Sequence, residues 1–391
     1  MARPTITGAQ GAMPRLLPGP PPTIFSEEAV PMHVAGLPIH VEKDATLRAK
    51  IHDPCGLTCS FCHNEGTPVV VDNRRLPPGG FTTIGPSGRV SIYAATNGAT
   101  FLPAPIPDNE GFGHALAALR DALGLTELHL TGGEPTLHPA VARLTKIAVA
   151  AGFQVGMTSN GERGERVLPD CAAAGLDRVN FSIFGTTPDE LTEVQHTRYR
   201  NTALAERKID ALKRSIAACE AHGIKASANI VVLDHGHGPR VHRLLDEYSP
   251  HLTVRLLNSL EHGAVSIEAI ERVLAERGAV AEAHYITAGV SGARTAYRLP
   301  DGRRVFFKQI RPVRLPQTCG GCRFNNGSDC QEGFYSVRLY CDRTGRYQVG
   351  VCIQRMDLCL PLDEFLASTL RTEILALRDA EYQRLAMRRV G

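Results

Sequence analysis

The chain has 391 residues, enough for one large α/β domain with a smaller appendage, and 43% of them are hydrophobic, an ordinary share for a globular protein. Its 43 Lys and Arg stand against 40 Asp and Glu, a near balance that argues against a general nucleic-acid or membrane-surface binder. No apolar run reaches the roughly 18 residues of a membrane span, and Met1 to Gly8 lacks the apolar core of a secretion signal. The expected location is a reducing cytoplasm, where eleven cysteines point to metal ligands more than to disulfides.

Residues 1–31 are rich in Pro and Gly, including Pro18-Gly-Pro-Pro-Pro22, and read as an extended arm. His33 to Val41 has the pattern of a short hairpin, and Thr46 to Ile51 alternates as a strand that delivers the loop Cys55-Gly-Leu-Thr-Cys59-Ser-Phe-Cys62. Opened by Asp53-Pro54 and carrying Gly56, this loop does not suit a helix face, so its three thiols can turn toward one point. Zinc usually takes four protein ligands, typically as two Cys-x2-Cys pairs, whereas a four-iron cluster held by three thiolates keeps one iron open. Chance cysteines or a zinc loop are the plain alternatives. Residues 63–110 are long for a βα connection and read either as an insertion near the active-site mouth or as a surface hairpin, with β-like runs at Pro68 to Val71 and Val90 to Tyr93.

A βα rhythm follows. Strands are predicted at Glu127 to Thr131, Phe153 to Thr158, Arg178 to Ile183, Lys225 to Leu233 and Leu252 to Leu257. Between them lie helices at Phe112 to Leu123, Pro139 to Ala151, Val167 to Ala174, most of Pro188 to His222, and Arg240 to Tyr248, and Ser266 to Arg277 closes the series. Such alternation implies a parallel sheet rolled by right-handed crossovers, with functional residues at the strand C-termini. The expected fold class is α/β: a partial (β/α)6 TIM-like barrel over 32–285 with the insertion at 63–110, a small cysteine-rich domain over 286–361, and a C-terminal helix over 362–391.

At the end of the second barrel strand stands Thr131-Gly132-Gly133-Glu134-Pro135. The glycines permit close backbone approach to a ligand, and a carboxylate beside them can accept hydrogen bonds from an ammonium group. The cysteine spacing, with Phe61 before the last thiol and this turn one strand later, resembles the radical S-adenosylmethionine (SAM) superfamily. The resemblance implies that Cys55, Cys59 and Cys62 hold a 4Fe-4S cluster whose open iron chelates the amino and carboxylate groups of SAM. One electron from the cluster then releases a 5′-deoxyadenosyl radical that abstracts hydrogen from the substrate. By the same resemblance Gly132, Gly133 and Glu134 hold the SAM amino group, and Ser159, Asn160 and Ser182, at the next two strand ends, contact its ribose or carboxylate. An ordinary Asn-Gly turn and a satisfied sheet serine are the alternatives there. Arg255 either neutralises a carboxylate or phosphate inside the barrel or pairs with a structural acid.

Six cysteines fall between 319 and 359. The text around them, Ile310 to Val313 and then Thr344 to Cys352, resembles the second-cluster region of the GTP cyclase family of molybdenum cofactor biosynthesis. This implies an auxiliary 4Fe-4S cluster on Cys319, Cys322 and Cys352, with Cys330 as an addition or substitute; a zinc knuckle is the alternative. The chain departs from that family in its Arg388-Arg-Val-Gly391 ending and its long spacing after the cysteine pair, and it lacks the peptide-modifying SPASM spacing as well. Cys171 and Cys219 read as buried structural thiols, and His63 and His138 as pocket neighbours. The function these features predict is SAM-dependent radical chemistry on a small molecule, cyclising or rearranging a nucleotide or specialised metabolite. A maturase of ribosomal peptides is the second reading, disfavoured by the mere 45 or so residues before the barrel, and a noncatalytic iron-sulfur electron carrier is the third. The expected partners are the substrate and a reductant such as flavodoxin or ferredoxin.

Overall fold

The structure, a computed structural model, describes residues 36–69, 91–93 and 97–387. The expected arm at 1–31 lies outside the described residues, as do Val70, Val71 and Val90 of the two β-like runs in the insertion, whose described residues 68–69 and 91–93 form no strand. Strand β1 (Ile39–Lys43) is followed by β2 (Thr46–Lys50) and, after the cysteine loop, by β3 (Pro103–Ala104). The repeating unit then begins with α1 (Glu110–Leu123) and β4 (Glu127–Thr131). In α1 the apolar residues Phe112, Ala115, Leu116, Leu119 and Leu123 recur at helical spacing and are all buried, Asn109 caps the first turn, and Gly124 at φ 65° ends the helix. The rhythm continues through α2 (Val141–Ala150), β5 (Gln154–Ser159), α3 (Gly164–Ala173), β6 (Leu176–Ile183), α4 (Pro188–Glu193), α5 (Thr202–Ala221), β7 (Lys225–Val232), α6 (Gly238–Glu247), β8 (Thr253–Asn258) and α7 (Gly263–Glu276).

Strands β2, β4, β5, β6, β7 and β8 pair in that order, all parallel, and form the expected partial (β/α)6 barrel. Each strand has two faces. Leu128, Val155, Val179, Phe181, Ile230 and Leu256 lie in the core with helix residues such as Leu116, Leu144, Leu168 and Leu244. The alternate residues are left for the concave face.

Beyond the barrel the chain returns to the same sheet at both edges. β9 (Val280–Ala288), β10 (Gly292–Arg298) and β11 (Arg304–Ile310) join next to β8 through the parallel pairing of β11 with β8. After the short helix α8 (Pro316–Gly320), β12 (Val337–Asp342) pairs parallel with β2, and β13 (Tyr347–Gly350) and β14 (Leu360–Pro361) add to it antiparallel. Of the expected hairpin at His33 to Val41, residues 33–35 lie outside the described residues, and Ile39–Lys43 runs as a strand parallel to β9. Its partner lies some 245 residues away and leaves no local sequence signal.

The chain closes with α9 (Leu362–Ala367) and α10 (Thr369–Met387). Arg378 on α10 donates to the carbonyls of Asp44 (3.0 Å) and Leu123 (2.6 Å), and buried Glu381 pairs with Arg311 at 2.7 Å. No helix among the described residues is long and apolar enough to cross a membrane.

Candidate active site at the C-terminal ends of the barrel strands

The cysteine loop leaves the C-terminal end of β2 and is fastened on two sides. The Ser60 N–H donates to Val194 O (3.0 Å), the His196 N–H to Thr58 O (2.8 Å), and the Thr58 N–H to Gln195 Oε1 (2.7 Å), so the loop runs along the segment after α4. On the other side the Gly56 N–H donates to Glu162 Oε2 at 2.8 Å, and a methyl group on Gly56 would stand 2.1 Å from that carboxylate. Side-chain amides point at two sulfurs: Asn160 Nδ2 lies 3.4 Å from Cys55 Sγ and Gln195 Nε2 lies 3.7 Å from Cys59 Sγ. Burial pushes the Cys59 thiol far up, and the neighbouring Cys55 and Cys62 sulfurs add to the shift. Among the described residues no three His, Cys, Asp or Glu side chains close on one metal-ion position. The donor set nonetheless suits a four-iron cluster, which places each cysteine on a different iron and draws N–H···S bonds of the kind Asn160 and Gln195 offer.

Immediately after Cys62 the backbone is strained, with Asn64 at φ 47° and Glu65 at φ 53°. The strain is held by buried contacts. Glu65 bridges Arg48 of β2 (2.9 Å) and Arg338 of β12 (3.1 Å), and Tyr340 Oη donates to its carbonyl at 2.9 Å. Burial alone would raise the Glu65 carboxyl, but the two guanidinium groups overcome it and hold it well below the usual carboxylate range. Gly66 packs against Ile353, where a methyl would stand 2.8 Å from Cα, so the loop leaving one cysteine group touches the neighbour of Cys352 in the other. Ile92, from the insertion, donates its N–H to Cys62 O at 2.9 Å.

The turn after β4 lies directly on the cysteine loop. Gly133 and Glu134 donate their N–H groups to the carbonyls of His52 and Pro54, each at 2.8 Å. A methyl group would meet His52 O at 2.4 Å from Gly132 and Asp53 O at 1.9 Å from Gly133, so this crossing requires glycine at both positions. The Glu134 carboxylate is 1% exposed and accepts four bonds from the protein, from Thr136 N (3.0 Å), Thr136 Oγ1 (2.7 Å), Ser159 Oγ (2.6 Å) and Asn160 N (2.5 Å). It therefore clamps the β4 and β5 turns together. Burial raises its carboxyl and these hydrogen bonds oppose the rise. Ser159 also accepts from the Gly161 N–H at 2.9 Å. Ser182, half-buried on β6, stands opposite Asn229 of β7, whose buried Oδ1 has no hydrogen-bond partner among the described residues.

The concave face is rich in cations that the sequence reading did not assemble. Arg255 donates to the neutral amide oxygen of Asn180 at 3.1 Å and forms no ion pair among the described residues. Burial, then Arg294 and Arg178, push it down to about 10. Arg294 lies over the rings of Tyr285 and Phe306 at 5.0 and 6.0 Å. Lys308 donates to Tyr335 Oη, and although burial opposes it, the lysine holds that phenol below its usual range. Central to this set, His129 is held well below neutrality, first by burial and then by Arg48, Arg178, Arg255 and Lys308.

The C-terminal cysteines divide into two classes. Cys341 and Cys359 are buried in the interior with Cys171 and Cys219, and burial pushes Cys341 to about 11 and Cys171 and Cys219 to about 12. Cys319, Cys322, Cys330 and Cys352 are half-buried. Cys319 sits on α8, whose first N–H groups, at Gln317 and Thr318, donate to Glu373 of α10 at 2.5 and 3.1 Å. Burial raises the Cys319 thiol to about 11, and Cys352 and Cys330 act on it as neighbours. Arg355 Nη1 lies 3.6 Å from Cys322 Sγ. His63 and His138 each accept a backbone N–H two residues on, from Glu65 (3.0 Å) and Ala140 (3.1 Å), and so serve as turn caps.

Residues 50–240 match the family model described as the radical SAM superfamily. This stretch is a radical SAM domain. The family binds a 4Fe-4S cluster and SAM, and its members are enzymes. Relatives include a protein of Aeropyrum pernix named probable GTP 3′,8-cyclase, 26% identical over 71% of this chain and 68% of its own. A GTP 3′,8-cyclase of Chlorobaculum tepidum is 38% identical over 20% of this chain and 24% of its own, and a PqqA peptide cyclase of Ruegeria pomeroyi is 41% identical over 17% and 18%. Among solved structures, Streptococcus suis SuiB bound to S-adenosylmethionine aligns with 88% of this chain and 68% of its own at 12% identity and a TM-score of 0.49.

Proposed function

We propose that this radical SAM enzyme holds its cluster through Cys55, Cys59 and Cys62 and acts on a small molecule that carries an anionic group, by cyclising or rearranging a nucleotide or a similar metabolite. When bound, the cluster supplies the electron that cleaves the SAM sulfonium bond. The chain's own residues supply place and charge. Gly132, Gly133, Ser159, Asn160 and Ser182 form the SAM cradle in this reading, with Glu134 fixing the two turns from which they project.

The observation that carries the substrate assignment is Arg255. A half-buried guanidinium whose hydrogen-bonded partner is a neutral amide, with Lys308 and the ion-paired Arg178 and Arg294 near it, is better satisfied when an anion completes the set. A phosphate or carboxylate does so, and Tyr285 and Phe306 beside Arg294 offer a flat apolar surface for a ring. The relatives named GTP 3′,8-cyclase favour a nucleotide. The second reading, a peptide maturase, draws on the short match to the PqqA peptide cyclase. Cys319, Cys322, Cys330 and Cys352 hold an auxiliary four-iron cluster in this account; four thiolates fill its four iron positions, which suits electron transfer over substrate binding.

Anaerobically reconstituted protein with SAM and dithionite, offered nucleoside phosphates, the same nucleosides without phosphate, and short peptides, tests this. Release of 5′-deoxyadenosine rises with the phosphorylated compounds and stays at background with the bare nucleosides. A rise with peptides alone moves the assignment to the maturase.

A further inference from the structure

We propose that the exposed basic face at the start of α3 and along the first half of α5 is the docking surface for an acidic one-electron carrier protein that reduces the cluster at Cys55, Cys59 and Cys62. The proposal rests on that cluster assignment and adds the route by which the electron arrives. The carrier is oxidised by one electron and the cluster reduced by one; no bond or proton changes hands.

The outer side of the cysteine loop is defined by its packing. Leu57, between the first two cysteines, packs with Leu191, Ala205 and Ile209 of α4 and α5, and Gly56 is tied to Glu162, which pairs with Lys208 of α5. These two helices and the turn before α3 are therefore the protein's surface nearest the loop from outside. Phe61, directly before Cys62, is 50% exposed with its ring 5.4 Å from that of Phe184.

Charge then selects the partner. A surface cleft of about 300 Å³ between α3 and α5 is lined by five basic residues and two carboxylates, a surplus equal to the net charge of +3 for the whole chain. Lys208 and Arg214 spend their charge on Glu162 and Glu165, but exposed Arg163, Arg166 and Arg207 have no ion-pair partner among the described residues. Unpaired, exposed and of one sign, they contribute little to stability and much to long-range attraction of a negative surface. A buried anion site would be built differently, with desolvated donors, as on the concave face around Arg255. An exposed basic rim fits a transient protein contact whose rate is set by electrostatic steering.

The test compares holoenzyme with the double variant Arg163→Glu/Arg207→Glu, measuring SAM cleavage with dithionite and with reduced flavodoxin. With dithionite the two proteins cleave SAM at the same rate. With flavodoxin at low salt the variant is slower by about 10-fold or more, and the wild-type rate falls steeply as salt is raised while the variant rate does not. Charge reversal on the far side of the barrel, Arg272→Glu on α7, leaves both rates as they are. Equal flavodoxin rates for wild type and double variant overturn the proposal, as does equal loss with both reductants or in Arg272→Glu. Absence of dithionite-driven cleavage in the wild type instead overturns the cluster assignment beneath it.

Discussion

Cys59→Ala brings SAM cleavage to background while the protein keeps its fold and its C-terminal iron. Cys59 is the most buried of the three loop thiols, and its sulfur receives the Gln195 amide at 3.7 Å, so no other side chain substitutes for it as a ligand. With three thiolates holding four irons, loss of one leaves the cluster labile, and the iron content of the reconstituted chain falls from about eight to about four. The backbone bonds of Ser60 to Val194 and of His196 to Thr58 do not involve the thiol and keep the loop in place. Iron analysis and 5′-deoxyadenosine release, measured on the same sample, check this; undiminished cleavage in the variant sinks the assignment of the loop.

Arg255→Met separates substrate handling from SAM chemistry. Removal of a charge-assisted hydrogen bond in a desolvated site costs about 1.5 to 3 kcal/mol, so kcat/KM for the anionic substrate drops about 10- to 100-fold. The substitution keeps an unbranched side chain, uncharged and shorter than that of arginine, and leaves Asn180 bonded to Ser227. SAM cleavage without substrate stays at the wild-type rate, because Arg255 lies on β8, away from the turns after β4 and β5. Steady-state kinetics on both reactions check the split. Loss of uncoupled cleavage in parallel would mean that the arginine supports the fold or the cofactor and not the substrate.

How much of this was legible beforehand follows from the range of each signal. The six parallel strands and the helices between them announce themselves locally, since alternation within Glu127 to Thr131 or helical spacing within Phe112 to Leu123 needs no partner. β9 and β10 went unread because Val280–Arg298 mixes polar and small residues without a clear period, and β11 (Arg304–Ile310) went unread despite its apolar Val305, Phe306 and Phe307; their identity comes from pairing with each other and with β8. β1 was taken for part of a hairpin for the same reason.

The site divides along the same line. Two adjacent glycines announce a close approach, and the structure supplies what they approach: the carbonyls of His52 and Asp53. The carboxylate next to them was read as an acceptor for an ammonium group, whereas its four bonds within the protein make it first a clamp between two turns. Glu65 drew no attention as a charged residue in a loop, because one of its two arginines lies 273 positions further on. The cationic set of Arg178, Arg255, Arg294 and Lys308 is scattered over four strands, and only the curvature of the sheet gathers it.

The central claim is that this chain generates a radical from SAM at the loop of Cys55, Cys59 and Cys62. It is tested most directly by incubating anaerobically reconstituted protein with SAM and dithionite and quantifying 5′-deoxyadenosine and methionine. The account predicts both products in equal amounts, dependent on the reductant; cluster-loaded, reduced protein that releases neither would contradict it.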